Sequence, residues 1–398
     1  MSEDGVIAGV GGWRVLRIPC LTVASFPRLA LLAVGLTFVG SVAVVCAQEA
    51  PVKAEEQITT LHVYTNSIQI PTVVLGPGKE RLGQISQDKF SVSIDSGPWF
   101  HATHVRKEED DPISLTILLD ANGDSAKLFR GVEDGITKAK NYPLRPEDRV
   151  SIYGLDCSLV LLLDNVSADS SFRERSSAAF ASWARRRESL KDTGCQEPKH
   201  LWDALEYVSG ELSKSSRLRV VLAVSQGKDL GSKHTWNEAR DYAESMSVAI
   251  FGLTEVPLNS DDPLPSTLDM GESIVYPKHP LSPVNIVWDT ENPFHQLCEL
   301  SGGMVFATPA KYVSGSMKSF LRTVRERYII EFPRPSNSTS GRHTMRVQVD
   351  HGQRYFIRPV GISVPQLDPS IVADPSTVST GPKDTPEMGS RKVMLKPQ

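Results

Sequence analysis

Asp120, Asn122 and Asp124 stand at alternate positions directly after an apolar run, Ile113–Leu119. Three oxygen-bearing side chains in such a turn can converge on a hard divalent cation, which takes oxygen ligands. The same D-x-N-x-D spacing opens an EF-hand loop, but that loop needs Gly at its sixth position and a bidentate Glu at its twelfth. Ser125 and Gly131 occupy those positions here, and the flanking pattern is strand then helix, so an EF-hand is excluded. Other chemistries find less footing. The nine histidines show no H-x-x-x-H spacing. No G-x-S-x-G places a nucleophile on an elbow, and Ser125 and Ser225 have no evident His and Asp partners. Nor does a G-x-G-x-x-G or a phosphate loop follow a strand.

A turn of this kind acts only where a sheet presents it, and the surrounding pattern supplies one. Strand-like stretches cover Leu61–Leu75, broken at Pro71, then Phe90–Ile94, resuming at Trp99–Val105. The charged run 107–112 marks a boundary, after which apolar strands alternate with amphipathic helices. Strands are expected at Ile113–Leu119, Arg149–Tyr153, Leu159–Leu163, Leu218–Val224, Val248–Leu253, Met304–Ala307 and Tyr328–Phe332. Helices are expected at Ser125–Lys140, Phe172–Leu190, His200–Leu212, Thr235–Met246, Pro293–Leu300 and Val313–Arg327. Thr235 with Glu238 reads as a capping box. Strands joined by crossover helices imply an α/β domain over 111–332, three-layered and Rossmann-like with a mainly parallel sheet. In such sheets ligands bind beyond the carboxyl ends of the strands, where the Asp120 turn lies. The flanking segments 58–110 and 333–364 are expected to form one small β subdomain. The proline-rich stretch 256–292 reads as a surface loop, and 365–398 as a disordered tail. Trp183, Trp202 and Trp236 fall on core faces of helices. Arg185, Arg186 and Arg187 read as a solvated helix end. Asn337-Ser338-Thr339 fits a glycosylation acceptor that matters only in a eukaryotic host.

On these residues the chain resembles the von Willebrand factor A-related proteins found widely in acidobacteria, over roughly 57–360. Their first strand ends in D-x-S-G-S, where this chain has Asp120-Ala121-Asn122-Gly123-Asp124. Asp88-Lys89-Phe90 and Ile94-Asp95-Ser96-Gly97 are similar to their D-F and E-D-G elements. Pro146-Glu147-Asp148-Arg149-Val150 is similar to P-G-D-R-V, and Leu201-Trp202-Asp203-Ala204-Leu205 to L-Y-D-A-L. Leu222–Asp229 is similar to L-x-x-S-D-G-x-D, and Ser301–Phe306 to T-G-G-x-x-F. The resemblance implies a protein-binding module at a bacterial envelope, engaging an unknown protein ligand through the rim that carries the metal loops. It also implies that a Thr and a further Asp should complete a Mg²⁺ site around Asp120, Asn122 and Asp124. Lys199 and Gln226 stand there instead. A charged Lys offers no lone pair, and Gln brings no negative charge. The expectation is therefore a degenerate site with no cofactor, in which Asp120 and Asp124 cap the following helix and pair with Lys199, and in which Lys199 and Gln226 belong to the partner-binding rim. A working Mg²⁺ site is the alternative. Two rival functions are a structural envelope protein without a site and a hydrolase using the Asp120/Asp124/Lys199 cleft.

Composition narrows the setting. The 398 residues are 40% hydrophobic and 23% charged with net charge −4, ordinary for a globular chain and unlike a nucleic-acid binder. Of five cysteines, Cys20 and Cys46 lie in or before the segment 29–47, which carries no charge and follows Arg14, Arg17 and Arg28. That segment reads as a signal peptide or a membrane anchor, followed by a linker over 48–57. Cys157, Cys195 and Cys298 remain. They allow one disulfide in an oxidising compartment or three small buried hydrophobes, and the second is the expectation. The expected outcome is export of 48–398. An alkaline phosphatase fused after Gln398 should be active in a bacterial host, and an inactive fusion beside an active cytoplasmic reporter would refute it.

Overall fold

The computed structural model describes residues 63–64, 67–77, 79–109, 111–121, 123–137, 144–193, 200–256, 292–335, 340–350, 355–364, 378–379 and 388–389. The N-terminal apolar segment, nearly all of the 256–292 stretch and most of the 365–398 tail lie outside them. Among the described residues no helix is long and apolar enough to cross a membrane.

The chain opens with β1 (Val63–Tyr64), β2 (Ser67–Leu75), β3 (Phe90–Ile94), β4 (Phe100–His101) and β5 (His104–Lys107). The alternating series then begins with β6 (Ile113–Asp120), α1 (Phe129–Thr137), β7 (Arg149–Leu155), β8 (Leu159–Ser167), α2 (Phe172–Thr193) and α3 (Leu201–Ser213). It continues through β9 (Leu218–Val224), α4 (Trp236–Ser245), β10 (Val248–Glu255), α5 (Pro293–Leu300), β11 (Val305–Thr308) and α6 (Val313–Arg325). The last strands are β12 (Tyr328–Pro333), β13 (Gly341–His343), β14 (Met345–Val349), β15 (Phe356–Pro359), β16 (Ile362–Val364) and β17 (Val378–Ser379).

Six strands form one sheet in the order β11-β10-β9-β6-β7-β8, parallel except for β8, which runs antiparallel to β7. Every residue of the central strand β6 is buried. Ile113, Leu115, Ile117 and Leu119 of β6 pack with the apolar faces of α1, α2 and α6, while Leu118 packs with those of α3, α4 and α5. The sheet is thus covered on both sides, as near-continuous apolar strands require. The fold is α/β, with a mostly parallel sheet between two helical layers, consistent with a Rossmann-like architecture. Leu128, Val132 and Ile136 are buried as their spacing predicts. The expected helix at Ser125, however, begins as a 3₁₀ turn over Gly123–Leu128 and becomes α-helical only at Phe129. Gly, Asp and Ser are poor helix-interior residues, and a tightened first turn accommodates them.

Outside the α/β series, β15-β2-β12-β5 form a four-stranded sheet and β14-β3-β4 a three-stranded one, with β13 paired to β16 and β1 to β17. The two larger sheets share a core that includes Ile70, Val74, Phe90, Val92, Ile94, Ile330, Phe332 and Val349. Two expectations need correction here. Tyr328–Pro333, expected to end the α/β series, lies between β2 and β5, so its sheet is the flanking one. Pro71 does not break its strand, because β2 runs through it. The Pro71 carbonyl accepts from Val360 N, one step past the last β15 pair at Pro359, so the missing Pro71 N–H falls at the very end of that ladder, where the loss is small.

The chain crosses between the two sheet systems at 108–112 and again at 325–327, and two arginine–carboxylate pairs tie these crossings together. Arg327 Nε and Nη2 donate to Glu108 Oε2 and Oε1 at 2.7 and 2.9 Å, and both side chains are 0% exposed. Burial pushes the Glu108 carboxyl above its ordinary value, against the pull of Arg327. Arg325 donates to Asp148 and, at 2.6 Å, to the carbonyl of Asp111. Asp148 also accepts from the backbone N–H groups of Ile113 and Arg145, at 3.0 and 2.6 Å. The P-E-D-R-V element is therefore an anchor for the start of β6. Farther along the junction, Glu299 of α5 pairs with Lys79 and Arg358, and Arg342 reaches Asp241 and Glu244 of α4. We expect Arg327→Ala to lower stability by about 3–5 kcal/mol in urea denaturation, because it strands a buried carboxylate. The double replacement Glu108→Leu/Arg327→Met should recover most of that loss.

Candidate functional site

Asp120 is the last residue of β6, and Ser225 follows the last residue of β9, the adjacent parallel strand. Parallel register brings the two ends to one edge, and there Ser225 Oγ donates to Asp120 Oδ2 at 2.6 Å. Both residues are buried, Asp120 at 1% exposure and Ser225 at 0%. The Ser225 hydroxyl also accepts from Gly227 N at 2.9 Å, which folds the turn after β9 back on itself. Gly227 has φ +72°, and a Cβ there would lie 2.4 Å from Cβ of Phe294, so the turn admits only glycine without rearrangement. Gln226 is half-buried and its Nε2 donates to the Glu255 carbonyl at the end of β10, at 3.2 Å. Ser125 is fully buried in the 3₁₀ turn, and its Oγ has no hydrogen-bond partner among the described residues.

Of the residues read from sequence as the site, only Asp120 and Gln226 have described side chains. Asp120 and Gln226 do lie on one carboxyl edge, linked through Ser225 as the intervening residue. Asn122, Lys199 and the side chain of Asp124 lie outside the described residues, as do Cys20, Cys46, Cys195 and the acceptor Asn337. Among the described residues no group of three or more His, Cys, Asp or Glu side chains is placed to hold a metal. Ser225, read from sequence as lacking an acidic partner, has one in Asp120. Spacing could not reveal it, because the two are joined by strand order rather than by chain proximity.

Sequence reasoning also missed what Asp203 and Asp229 do, although both lie in recognised elements. Asp229 Oδ1 accepts from Leu201 N at 2.7 Å, and Ser232 Oγ accepts from Trp202 N and Asp203 N at 3.1 and 3.2 Å. Together they cap α3, whose N-cap residue His200 makes no side-chain cap bond. In return Asp203 accepts from Lys233 N and His234 N, each at 3.0 Å. Burial works against the Asp203 carboxylate, but those N–H groups and the His234 ring outweigh it, so its pKa lies below the ordinary value. The first turn of α3 and the loop entering α4 therefore hold each other in place. The capping box at α4 forms as its sequence predicts, with Thr235 and Glu238 bonded in both directions.

Two further expectations change. Arg185, Arg186 and Arg187 fall within α2, not at its end. Arg186 donates to Asp156 at 2.6 and 3.1 Å and to Ser158, and Arg187 lies 5.1 Å from the Phe129 ring centroid, leaving only Arg185 as a simple solvated charge. Cys157 is exposed and disulfide-bonded in the β7–β8 turn, while Cys298 is free and buried. Trp183 and Trp202 are buried as expected, and Trp236 is half-buried.

No protein-family model matches the chain, and no curated protein matches it. Among solved structures it is similar to proximal thread matrix protein 1 of the mussel byssus, at 11% identity and TM-score 0.36, over 58% of this chain and 51% of that one. It is similar also to an aerotolerance-related membrane protein from Bacteroides fragilis, at 11% identity and TM-score 0.32, over 53% and 98%. A third is the conserved hypothetical protein BatB from Bacteroides thetaiotaomicron, at 13% identity and TM-score 0.32, over 54% and 97%. This chain spans about half the length of the mussel protein, 51%. Likenesses of this size assign neither a family nor an activity.

The Asp120–Ser225 bond yields a test. Ser225→Ala removes the donor from a buried carboxylate and should cost about 1–3 kcal/mol in denaturant unfolding. Gln226→Ala, at a half-buried position, should cost less than about 1 kcal/mol.

Proposed function

We propose that this chain is an exported, non-enzymatic protein-binding module of the von Willebrand A type, whose partner docks on the rim carrying Asp120, Ser225 and Gln226. We propose further that it works without a divalent metal. The observation that carries the reading is the commitment of Asp120 to Ser225 at 2.6 Å. A carboxylate oxygen that already holds a protein hydroxyl is a poorer ligand for a metal than a free one. The neighbouring carboxylates Asp203 and Asp229 are likewise spent on backbone N–H groups. Among the described residues, the turn after β9 and the loop before α4 are bonded in place at this edge, the kind of frame on which binding loops are displayed.

A hydrolase reading gains nothing from the same geometry. Ser225 is fully buried, and its hydroxyl donates to a carboxylate rather than to an imidazole. Export is supported by the disulfide at Cys157, since disulfides persist in oxidising compartments. The ammonium of Lys199, which immediately precedes His200 in sequence, is the proposed charge partner for Asp120 and Asp124.

Thermal melting tests the metal claim. The native chain should melt at the same temperature with millimolar Mg²⁺ as with chelator. The double variant Lys199→Thr/Gln226→Asp, which rebuilds an oxygen-only set, should gain stability from Mg²⁺ or Mn²⁺. A gain of several degrees by the native chain would identify a working metal site instead. For the rim, a partner captured from an envelope fraction should be lost with Gln226→Arg and kept with Arg185→Ala, which lies on α2. Equal capture by both variants would remove the rim from the reading.

A further inference from the structure

The segment 365–398 reads by composition as a disordered tail, yet two described pieces of it are fixed. Val378–Ser379 form β17, which pairs in parallel with β1 through Val63 and Tyr64. Farther on, Met388 is 8% exposed and belongs to the core that holds Val92, Ile94, Ile330 and Phe332. Beside it, Gly389 N donates to the Ile94 carbonyl at 3.1 Å, an oxygen that also accepts from Gly97 N at 2.8 Å. The approach is close from both sides. A Cβ on Gly389 would lie 2.2 Å from the Asp95 carbonyl oxygen, and one on Gly97 would lie 2.4 Å from Gly389 N. Each partner must be glycine for the other to reach it, so tail and turn fit as a pair.

The turn that receives the tail is strained. Asp95 and Ser96 stand at φ +48° and +61°, between Ile94 and Gly97. A turn with both central residues at positive φ favours Asn-Gly or Asp-Gly, and a side chain at the second position adds strain. Such a conformation persists only where its surroundings hold it. One hold comes from the sheet: His343 Nδ1 lies 2.7 Å from Asp95 Oδ2, and Thr344 N donates to Asp95 Oδ1 at 2.9 Å. The other comes from Gly389. The two differ in what it takes to undo them. His343 belongs to β13 and is paired with Ile362 of β16, whereas Met388 and Gly389 lie outside every strand and can leave without unpairing a ladder. We infer that Met388 and Gly389 form a releasable strap. Met388 closes the core of the flanking sheets, Gly389 holds the Ile94–Gly97 turn in its strained shape, and the two contacts are made and lost together. Release leaves an apolar socket beside Ile94 with a backbone acceptor at its mouth.

Limited trypsin digestion of the full-length chain in mild detergent tests this, with hydrogen exchange as the second readout. Arg391 and Lys392 follow the strap closely in sequence, so cutting there reports how often the strap is free. Met388→Asp should speed that cutting about tenfold, the effect of taking one buried apolar side chain out of the core. Met388→Leu should cut like the native chain. Gly97→Ala, which leaves the tail sequence untouched, should speed cutting as Met388→Asp does. In both fast variants the Asp95 and Gly97 amides should exchange faster than in the native chain, because the turn has lost its outer hold. Circular dichroism checks that each variant is folded; if Met388→Asp fails to fold, Gly389→Val decides, since it keeps Met388 and blocks only the close approach. A native chain cut at Arg391 as fast as these variants would overturn the strap. Faster cutting with unchanged exchange at Asp95 and Gly97 would overturn its coupling to the turn.

Discussion

The buried bond between Arg327 and Glu108 fixes the point where both sheet systems meet. Glu108 follows β5 and lies five residues before β6, and Arg327 stands between α6 and β12. The chain passes there in both directions, and each passage carries one member of the pair. Two full charges cannot be taken out of water unless they meet in good geometry, and the two-pronged contact at 2.7 and 2.9 Å supplies that. Arg325 performs the same service two residues earlier, joining Asp148 and the Asp111 carbonyl below β6. With the amino end of β6 clamped, the placement of its carboxyl end follows, because a fully buried central strand has only one register that keeps Leu118 on one face and Leu119 on the other.

The rim inherits its order from that clamp. Asp120 is held by strand pairing to Leu155 on one side, and its carboxylate is held by Ser225 on the other. The first turn of α3 and the loop before α4 are fixed to each other through Asp203 and Asp229. A surface with its described loops bonded in this way would pay little entropy on binding a partner. It also explains why two acidic residues in the motif-like elements are better understood as struts. Their oxygens point at backbone N–H groups of the neighbouring loop, and a carboxylate engaged in that way is an organiser of shape.

Local pattern made some of this legible and left the rest hidden. The apolar run of β6, the buried faces of α1 and α3 and the capping box at Thr235 are consequences of periodicity and of contacts within four residues, so they can be read directly. Sheet membership is another matter. Tyr328–Pro333 has the same apolar texture as the parallel strands, and only its partners Thr72 and Lys107 reveal that it belongs to the other sheet. Pro71 breaks a strand only if its missing donor faces a neighbour, which depends on where β15 stops. The partnership of Asp120 with Ser225 depends on β6 and β9 being adjacent, across 105 positions of sequence. Each miss concerns a non-local pairing whose cost and reward are settled by topology rather than composition.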